Sequence, residues 1–415
     1  MKKLLHLVCV AVLCALYGCS DNLKEITETY TYKVNEPVLM DATEFRNSVK
    51  ISVTPEQITK QGKICFYDGY LYISEPGKGI HIIDNNTPSE PKNVGFIEIL
   101  GNFDLAIREG VLYADSYVDL IWFDIQNPAE PVVKGRLENA FKNAFPPTGN
   151  PYGYDYLMCQ TEDKIVVGWT LKERTATITY RPGEEVYCSD NTSASKGNGA
   201  NGSMSRFGIY QNYLYVVMPQ YMSIFNLSGE TPEETGQKIP LTQEVETIFN
   251  YRDNLFLGTP TGMLIYSVTN PLHPEYQSQV SHIYGCDPVV VEDDLAYVTV
   301  RSGNLCGQNN NELFIVDVSD VKKPKQIASY SMTNPKGLGI NKGTLFLCDD
   351  GLKIFDAKDP QKIIANELAH YKGMDGYDLI PYNNTLMMIA DDGLYQYDYT
   401  DLQNIKQISI MPMSK

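Results

Sequence analysis

The sequence is poor in positive charge, histidine and tryptophan, and each shortage removes a class of function. Lys and Arg number 34 against 51 Asp and Glu, a net charge of −17. That balance argues against nucleic acid as a partner and against electrostatic docking on an anionic bilayer. The five histidines (His6, His81, His273, His282, His370) form no HxH or HExxH arrangement, and the cysteines form no CxxC knuckle. There is no GxSxG nucleophile elbow, no P-loop and no dinucleotide fingerprint. No cofactor and no metal are therefore expected. Asp349-Asp-Gly351 and Asp391-Asp-Gly393 carry calcium-ligand residue types, but they fall in hairpin turns, where such residues serve positive φ. Beyond residue 18 no stretch is apolar enough to span a bilayer, and the 3.6-residue period of helical repeats is missing.

What is present begins with an export signal over residues 1–18: Lys2-Lys3, an apolar run from Leu4 to Leu16, and Gly18 before Cys19. The Leu16-Tyr-Gly-Cys19 box resembles that of bacterial lipoproteins, which implies cleavage before Cys19 and acylation of its thiol and amine. Several acyl chains anchor firmly where one does not. The expected partner is thus the membrane, through the lipid, at the outer membrane on either its periplasmic or its exposed side. Losing Lys2 and Lys3 takes the mature chain to −19. Residues 19–38 are polar, lack apolar periodicity and read as a tether, followed by an N-terminal segment over 39–61. Six cysteines follow Cys19 (Cys65, Cys159, Cys188, Cys286, Cys306, Cys348), either buried thiols or disulfides permitted by export. Cys159 and Cys188, which share one insertion, are the candidate pair.

From residue 62 onward one phrase recurs, an apolar run closed by aspartate. It stands as Gly79-Ile-His-Ile-Ile-Asp84, Leu120-Ile-Trp-Phe-Asp124, Leu313-Phe-Ile-Val-Asp317, Leu352-Lys-Ile-Phe-Asp356 and Leu394-Tyr-Gln-Tyr-Asp398. Met222-Ser-Ile-Phe-Asn226 and Met263-Leu-Ile-Tyr-Ser267 are degraded copies. Aligning the strand before each copy gives a leucine column: Leu71, Leu112, Leu214, Leu255, Ala296, Leu345 and Leu386. An aromatic column lies beside it: Tyr72, Tyr113, Tyr215, Phe256, Tyr297 and Phe346, with Met387 last. Successive leucines are 41, 102, 41, 41, 49 and 41 residues apart, so a period near 41 is interrupted by two insertions, over 142–202 and 301–310. Proline falls four residues after the aspartate column at Pro88, Pro128, Pro271 and Pro360, and seven after it at Pro91, Pro131, Pro274 and Pro324. Proline cannot donate to a ladder and so belongs in the turn. The aspartate before it is expected to accept backbone N–H groups in that turn.

Four short strands per unit of this length is the signature of a β-propeller blade. The expected fold is all-β, a seven-bladed β-propeller of four-stranded antiparallel blades over 62–415, monomeric, with Ser48–Thr54 pairing to the seventh blade as a clasp. The apolar-Asp strand and the turn Asp124-Ile-Gln-Asn-Pro-Ala-Glu-Pro131 resemble the LVIVD-repeat family of bacterial propellers. The resemblance covers about six-sevenths of the chain and implies the fold; the family has no common chemistry to carry over. Asn226, Ser267 and the absence of prolines after Asp398 depart from its pattern.

Both insertions fall on one face of such a propeller, and loops set on a rigid scaffold are where function concentrates. Tyr154 and Tyr156, with Trp169 in an extra hairpin over Lys164–Tyr180, are candidate contacts for a sugar or a partner protein. The same face holds the N-terminal ends of the first strands: Lys63, Asp104, Arg206, Thr247, Pro288 (with Asp287 beside it), Gly337 and Asp378. A ring carrying both signs of charge suits a polar or zwitterionic ligand, or else forms a salt-bridged plug. Two functions follow as expectations: a non-enzymatic binding scaffold for a ligand, protein or glycan, or a glycan hydrolase or lyase using carboxylates at the channel mouth. The anchor has a direct test. Labelled palmitate should enter the wild-type protein and not Cys19→Ala; label retained by the variant would remove the lipoprotein assignment.

Overall fold

The computed structural model describes residues 26–180, 192–193 (backbone only), 206–281, 288–301 and 311–414. The signal, Cys19, Cys188, Asp287 and most of the loop at 301–310 lie outside the described residues. The chain divides into two compact units. The smaller comprises Met1–Pro37, Asn150–Gln160 and Trp169–Lys196; the larger comprises Val38–Gly149, Thr161–Gly168 and Gly197–Lys415.

In the larger unit each repeat folds into an antiparallel sheet of four sequential strands, seven such sheets in all among the described residues. The second is typical: Leu105–Arg108, Val111–Ser116, Asp119–Asp124 and Val132–Leu137 pair in that order. The fold is propeller-like. Successive residues of a strand point to opposite faces of its sheet, so the leucine and aromatic columns face two different neighbours. All seven leucine-column residues are fully buried, and the aromatic column is at most 5% exposed. Sequestering a side chain of this size stabilises by about 1.5–3 kcal/mol. In every sheet the pairing of third and fourth strands carries an irregularity, which bends the outer edge.

The turn after each third strand does two jobs. First, the side chain closing the phrase accepts the N–H two residues on in all seven copies. Asp84 takes Asn86 (3.0 Å), Asp124 takes Gln126 (3.0 Å), Asp317 takes Ser319 (2.9 Å), Asp356 takes Lys358 (3.2 Å) and Asp398 takes Thr400 (2.8 Å). The degraded copies do the same: Asn226 takes Ser228 (2.9 Å) and Ser267 takes Thr269 (3.4 Å). These bonds hold the Asp317 and Asp398 carboxyls below the ordinary range. The turn-shaping role expected of the column is what the structure shows. Second, in four of the copies the carbonyl four residues after the phrase accepts a hydroxyl from the preceding sheet. Tyr215 donates to Pro271 (2.8 Å), Ser278 to Val321 (2.5 Å) and Tyr330 to Pro360 (2.7 Å).

The first strands stand side by side in chain order: Ile64–Tyr67, Leu105–Arg108, Phe207–Tyr210, Thr247–Tyr251, Val289–Glu292, Leu338–Asn341 and Gly376–Tyr382, with the last also beside the first. The seventh and first sheets use the same hydroxyl device, Ser409 donating to the Pro88 carbonyl at 2.7 Å. The buried amides of Asn85 and Gln396 exchange two hydrogen bonds there (3.0 and 2.6 Å). Ile58, Ile64, Leu71 and Ile73 form one apolar cluster with Met387, Ile389, Leu394 and Met413.

Three expectations are corrected. Ser48–Thr54 does not clasp the seventh sheet. Lys50–Ser52 pairs instead with Lys92–Glu98, the outer strand of the first sheet, because Val49 and Ile51 find an apolar surface against the first and second sheets. The stretch read as a tether is, from Ile26 to Asp41, a strand. Lys164–Tyr180 is one continuous strand rather than a hairpin. These two strands are neighbours in the smaller unit's sheet, with Thr27 bonded to Thr179 (3.1 Å) and Thr29 to Thr177 (3.3 Å). Alternating Thr and Tyr favour a strand without needing an apolar face, which is why hydrophobic periodicity missed both.

Removing one partner of a buried amide pair leaves the other unsatisfied, at about 1–3 kcal/mol. Gln396→Ala should lower urea-denaturation stability by that amount. Asn85→Ala added to it should cost much less than the two single losses together.

Candidate functional site

The first strands frame a cavity of about 350 Å³ in the larger unit, lined by strands of the first, fourth, fifth, sixth and seventh sheets. Its walls are mostly apolar, through Ile248, Val289, Val290, Leu338 and Leu379, while Lys63, Thr247 and Asp378 bring polar groups to it. Gly337 permits the sixth and seventh first strands to approach: a Cβ there would lie 2.6 Å from the Tyr377 carbonyl, which instead accepts the Gly337 N–H at 3.1 Å.

Alignment of the repeats placed Lys63, Asp104, Arg206 and Asp378 at equivalent positions, and the structure joins the first three into one network. Lys63 Nζ bonds Asp104 Oδ1 at 2.8 Å, linking the first and second sheets. Asp104 also accepts the N–H groups of Leu105 (2.7 Å), Phe207 (3.0 Å) and Arg206. Arg206 Nη2 reaches Asp115 Oδ2 at 2.8 Å. Asp115 accepts further bonds from the backbones of Phe103 (2.7 Å) and Asp104 (2.9 Å) and from Asn102 Nδ2 (3.0 Å). Ser74 Oγ on the first sheet donates to Asn102 at 3.0 Å. Burial alone would depress the Lys63 amine, but the adjacent Asp104 carboxylate outweighs it and holds the amine above its ordinary value. Burial pushes the Asp115 carboxyl up to about 6, with Arg206 pulling the other way. Asp378, also buried, accepts the Leu379 N–H at 2.9 Å and adds a negative field at Lys63.

Repeat alignment did not single out Asp115, Asn102 or Ser74. A signal was available: the third residue after the leucine column is Val217, Gly258, Cys348 or Ile389 in four units, but Ser74 in the first, Asp115 in the second and Thr299 in the fifth. A buried Glu75–His81 pair (2.8 Å) was missed as well. Burial lowers the His81 imidazole despite Glu75. Asp349, in one of the calcium-like triplets, is bound by Lys353 (2.6 Å) and accepts the N–H groups of Thr333 (3.0 Å) and Asn334 (2.6 Å), a structural role. No cluster able to hold a metal occurs among the described residues.

The aromatic candidates belong to the smaller unit. Tyr154 is 8% exposed and stacks on Trp169 with centroids 4.7 Å apart, so much of this pair packs its own unit. Tyr156 opens the short helix Tyr156–Cys159, capped by Asp155, and is half-buried. Cys159 is a free thiol that donates to the Asp155 carbonyl at 3.5 Å, while its candidate partner Cys188 lies outside the described residues.

Fold and site together define a propeller-like repeat protein whose charged rim is internally paired. The family model described as LVIVD repeat matches residues 61–98 and 286–332. Those two stretches are LVIVD repeats. No curated protein matches it. Among solved structures it is similar to PorZ, a bacterial surface component of the type-IX secretion system of Porphyromonas gingivalis. That match has 10% identity and a TM-score of 0.50, and it covers 88% of this chain and 40% of that one. The computationally designed Ika8 protein matches at 8% identity over 87% of this chain and 89% of that one, with a TM-score of 0.48. Hsv2p of Kluyveromyces lactis matches at 9% identity over 73% of this chain and 76% of that one, with a TM-score of 0.41.

Because the folded-state value of Asp115 is raised, its protonation contributes stability that is fully present below the ordinary 3.8 and lost as pH rises through about 6. The amount is on the order of 3 kcal/mol. A carbon-13 titration of the Asp115 carboxyl should show a midpoint near pH 6. A midpoint at or below the ordinary 3.8 would mean that its N–H donors and Arg206 outweigh burial.

Proposed function

We propose that this chain is a cell-envelope lipoprotein, anchored through Cys19, whose larger unit is a closed seven-bladed propeller serving as a non-enzymatic binding scaffold. The ring reading is supported by seven repeat sheets whose first strands neighbour one another cyclically. It is supported also by the bonds from Ser409 to Pro88 and between Gln396 and Asn85, which join the last sheet to the first. The anchor reading rests on the Lys2-Lys3 start, the short apolar run and Gly18-Cys19.

One observation carries the preference for binding over catalysis: Asp104 and Asp115 are already engaged by Lys63, Arg206 and backbone N–H groups. A carboxylate held this way has little capacity left to move a proton in a reaction. The cavity, apolar with Lys63 and Asp378 of opposite charge, suits a small ligand with an apolar body and a zwitterionic or polar end. The smaller unit, with its Tyr154–Trp169 pair, is a second contact element for a protein or glycan. The competing glycan hydrolase or lyase has one observation in its favour, the raised Asp115 carboxyl, since a general acid needs such a shift.

The test is a thermal-shift screen of the mature protein against zwitterionic metabolites, with a glycan array and a reducing-sugar assay in parallel. Saturable stabilisation that is weakened at least tenfold in Asp378→Ala is expected, with no sugar released. Release of reducing ends that is lost in Asp115→Asn would replace this reading with the hydrolase.

A further inference from the structure

At the end of the first strands away from Lys63, each repeat makes a hairpin turn with residues at positive φ, among them Asp68, Glu109, Gln211, Arg252, Asp293, Lys342 and Asn383. From the second sheet to the seventh these ends are tied to one another. Arg108 donates to Asn212, and Tyr210 to Asp253. Arg252 bonds Asp294 at 2.5 Å, Glu292 accepts the N–H groups of Lys342 (2.8 Å) and Gly343 (2.6 Å), and Asn341 donates to Tyr399 at 3.1 Å. Among the described residues no such bond ties the first sheet at this end to the second, nor the seventh sheet to the first. At the junction of the seventh and first a groove of about 570 Å³ opens, lined by Cys65, Phe66, Tyr67, Asp68, Ile380 and Tyr382. The Asp68 side chain is exposed and forms no ion pair or hydrogen bond among the described residues. Tyr382 is 47% exposed, and its ring packs tilted against Phe66 at 4.8 Å between centroids.

The repeat supplies a template for what this groove lacks. Tyr251 and Tyr382 are equivalent, each four residues before the leucine column. Beside Tyr251 stands Arg252, whose guanidinium lies over the Tyr251 ring at 5.0 Å and pairs with Asp294 of the next sheet. The Tyr251 hydroxyl also accepts the N–H of Asp293, the equivalent of Asp68, at 3.0 Å. Beside Tyr382 the chain has Asn383 instead. The aromatic ring is therefore kept and the cation beside it is absent; the equivalent of Asp294 is Gly69, and the acid on the neighbouring sheet is Asp68, one position earlier. An aromatic face next to a carboxylate attracts an organic cation, and a guanidinium stacks on a ring and bonds a carboxylate at once where an ammonium does not. The acidity of the chain as a whole adds long-range attraction.

We propose that the groove between the seventh and first sheets binds a guanidinium group of the arginine type, seated on the Tyr382 ring with its charge on Asp68. The probe is Nα-acetyl-L-arginine amide, titrated into the full mature protein and followed by calorimetry and by the ring resonances of Tyr382. Saturable binding is expected, at least tenfold weaker for Asp68→Asn and for the lysine analogue. Asn383→Arg places an arginine where Arg252 stands, at a position whose positive φ (46°, against 49° for Arg252) has carried arginine once already. That variant should melt no lower than the wild type and should exclude the probe. A single-arginine peptide that binds more tightly than the blocked amino acid would identify a polypeptide as the source, and equal binding would identify a small molecule. Absence of saturable binding, or binding unchanged by Asp68→Asn and by Asn383→Arg, would overturn the proposal.

Discussion

A side-chain oxygen accepting the N–H two residues ahead is the bond on which the rest of this structure depends. It recurs after every third strand, from Asp84 to Asp398, and survives the change to Asn226 and Ser267 because amide and hydroxyl oxygens accept as carboxylates do. By fixing the turn it also aims the carbonyl two residues further on at the preceding sheet. There a tyrosine or serine hydroxyl finds it, at Pro271, Val321, Pro360 and Pro88. Proline suits that position because it has no N–H to leave unpaired. One local bond therefore ends a strand, sets the next one and orients a latch between sheets.

The units differ in how fully they satisfy that scheme, and the differences are where chemistry collects. Positions after the leucine column are apolar in most units, so Asp115 in the second is surrounded by donors drawn from backbone, Asn102 and Arg206. The price of burying that carboxyl is visible as its raised proton affinity. At the opposite end inter-sheet bonds run from the second sheet to the last and leave the first sheet untied. Apolar packing and the Asn85–Gln396 exchange hold the junction of the last sheet with the first, while the hairpin ends there are left open. The junction is packed in its core and untied at its edge.

Much of the larger unit was legible beforehand because repetition averages out local ambiguity. A single apolar run such as Met222–Phe225 does not say strand or turn; seven copies in one register do. The same alignment brought Lys63, Asp104 and Arg206 to one level, since equivalent residues of equivalent sheets lie at equivalent heights. Legibility failed where the repeat does. Ile26–Asp41 and Lys164–Tyr180 pair across more than a hundred residues through threonines, with no periodic apolar face to announce them. Lys50–Ser52 was assigned to the wrong sheet, because a three-residue strand carries no information about which edge it will join.

By itself, then, the sequence determined the period, the strand order within each unit, the two buried columns and the turn after each phrase. All of these follow from interactions between residues close along the chain or repeated along it. Only the tertiary structure decided which charges neutralise one another, which edge the N-terminal strand covers and where the chain of inter-sheet bonds breaks. Those outcomes depend on contacts between residues whose separation in sequence says nothing about their separation in space.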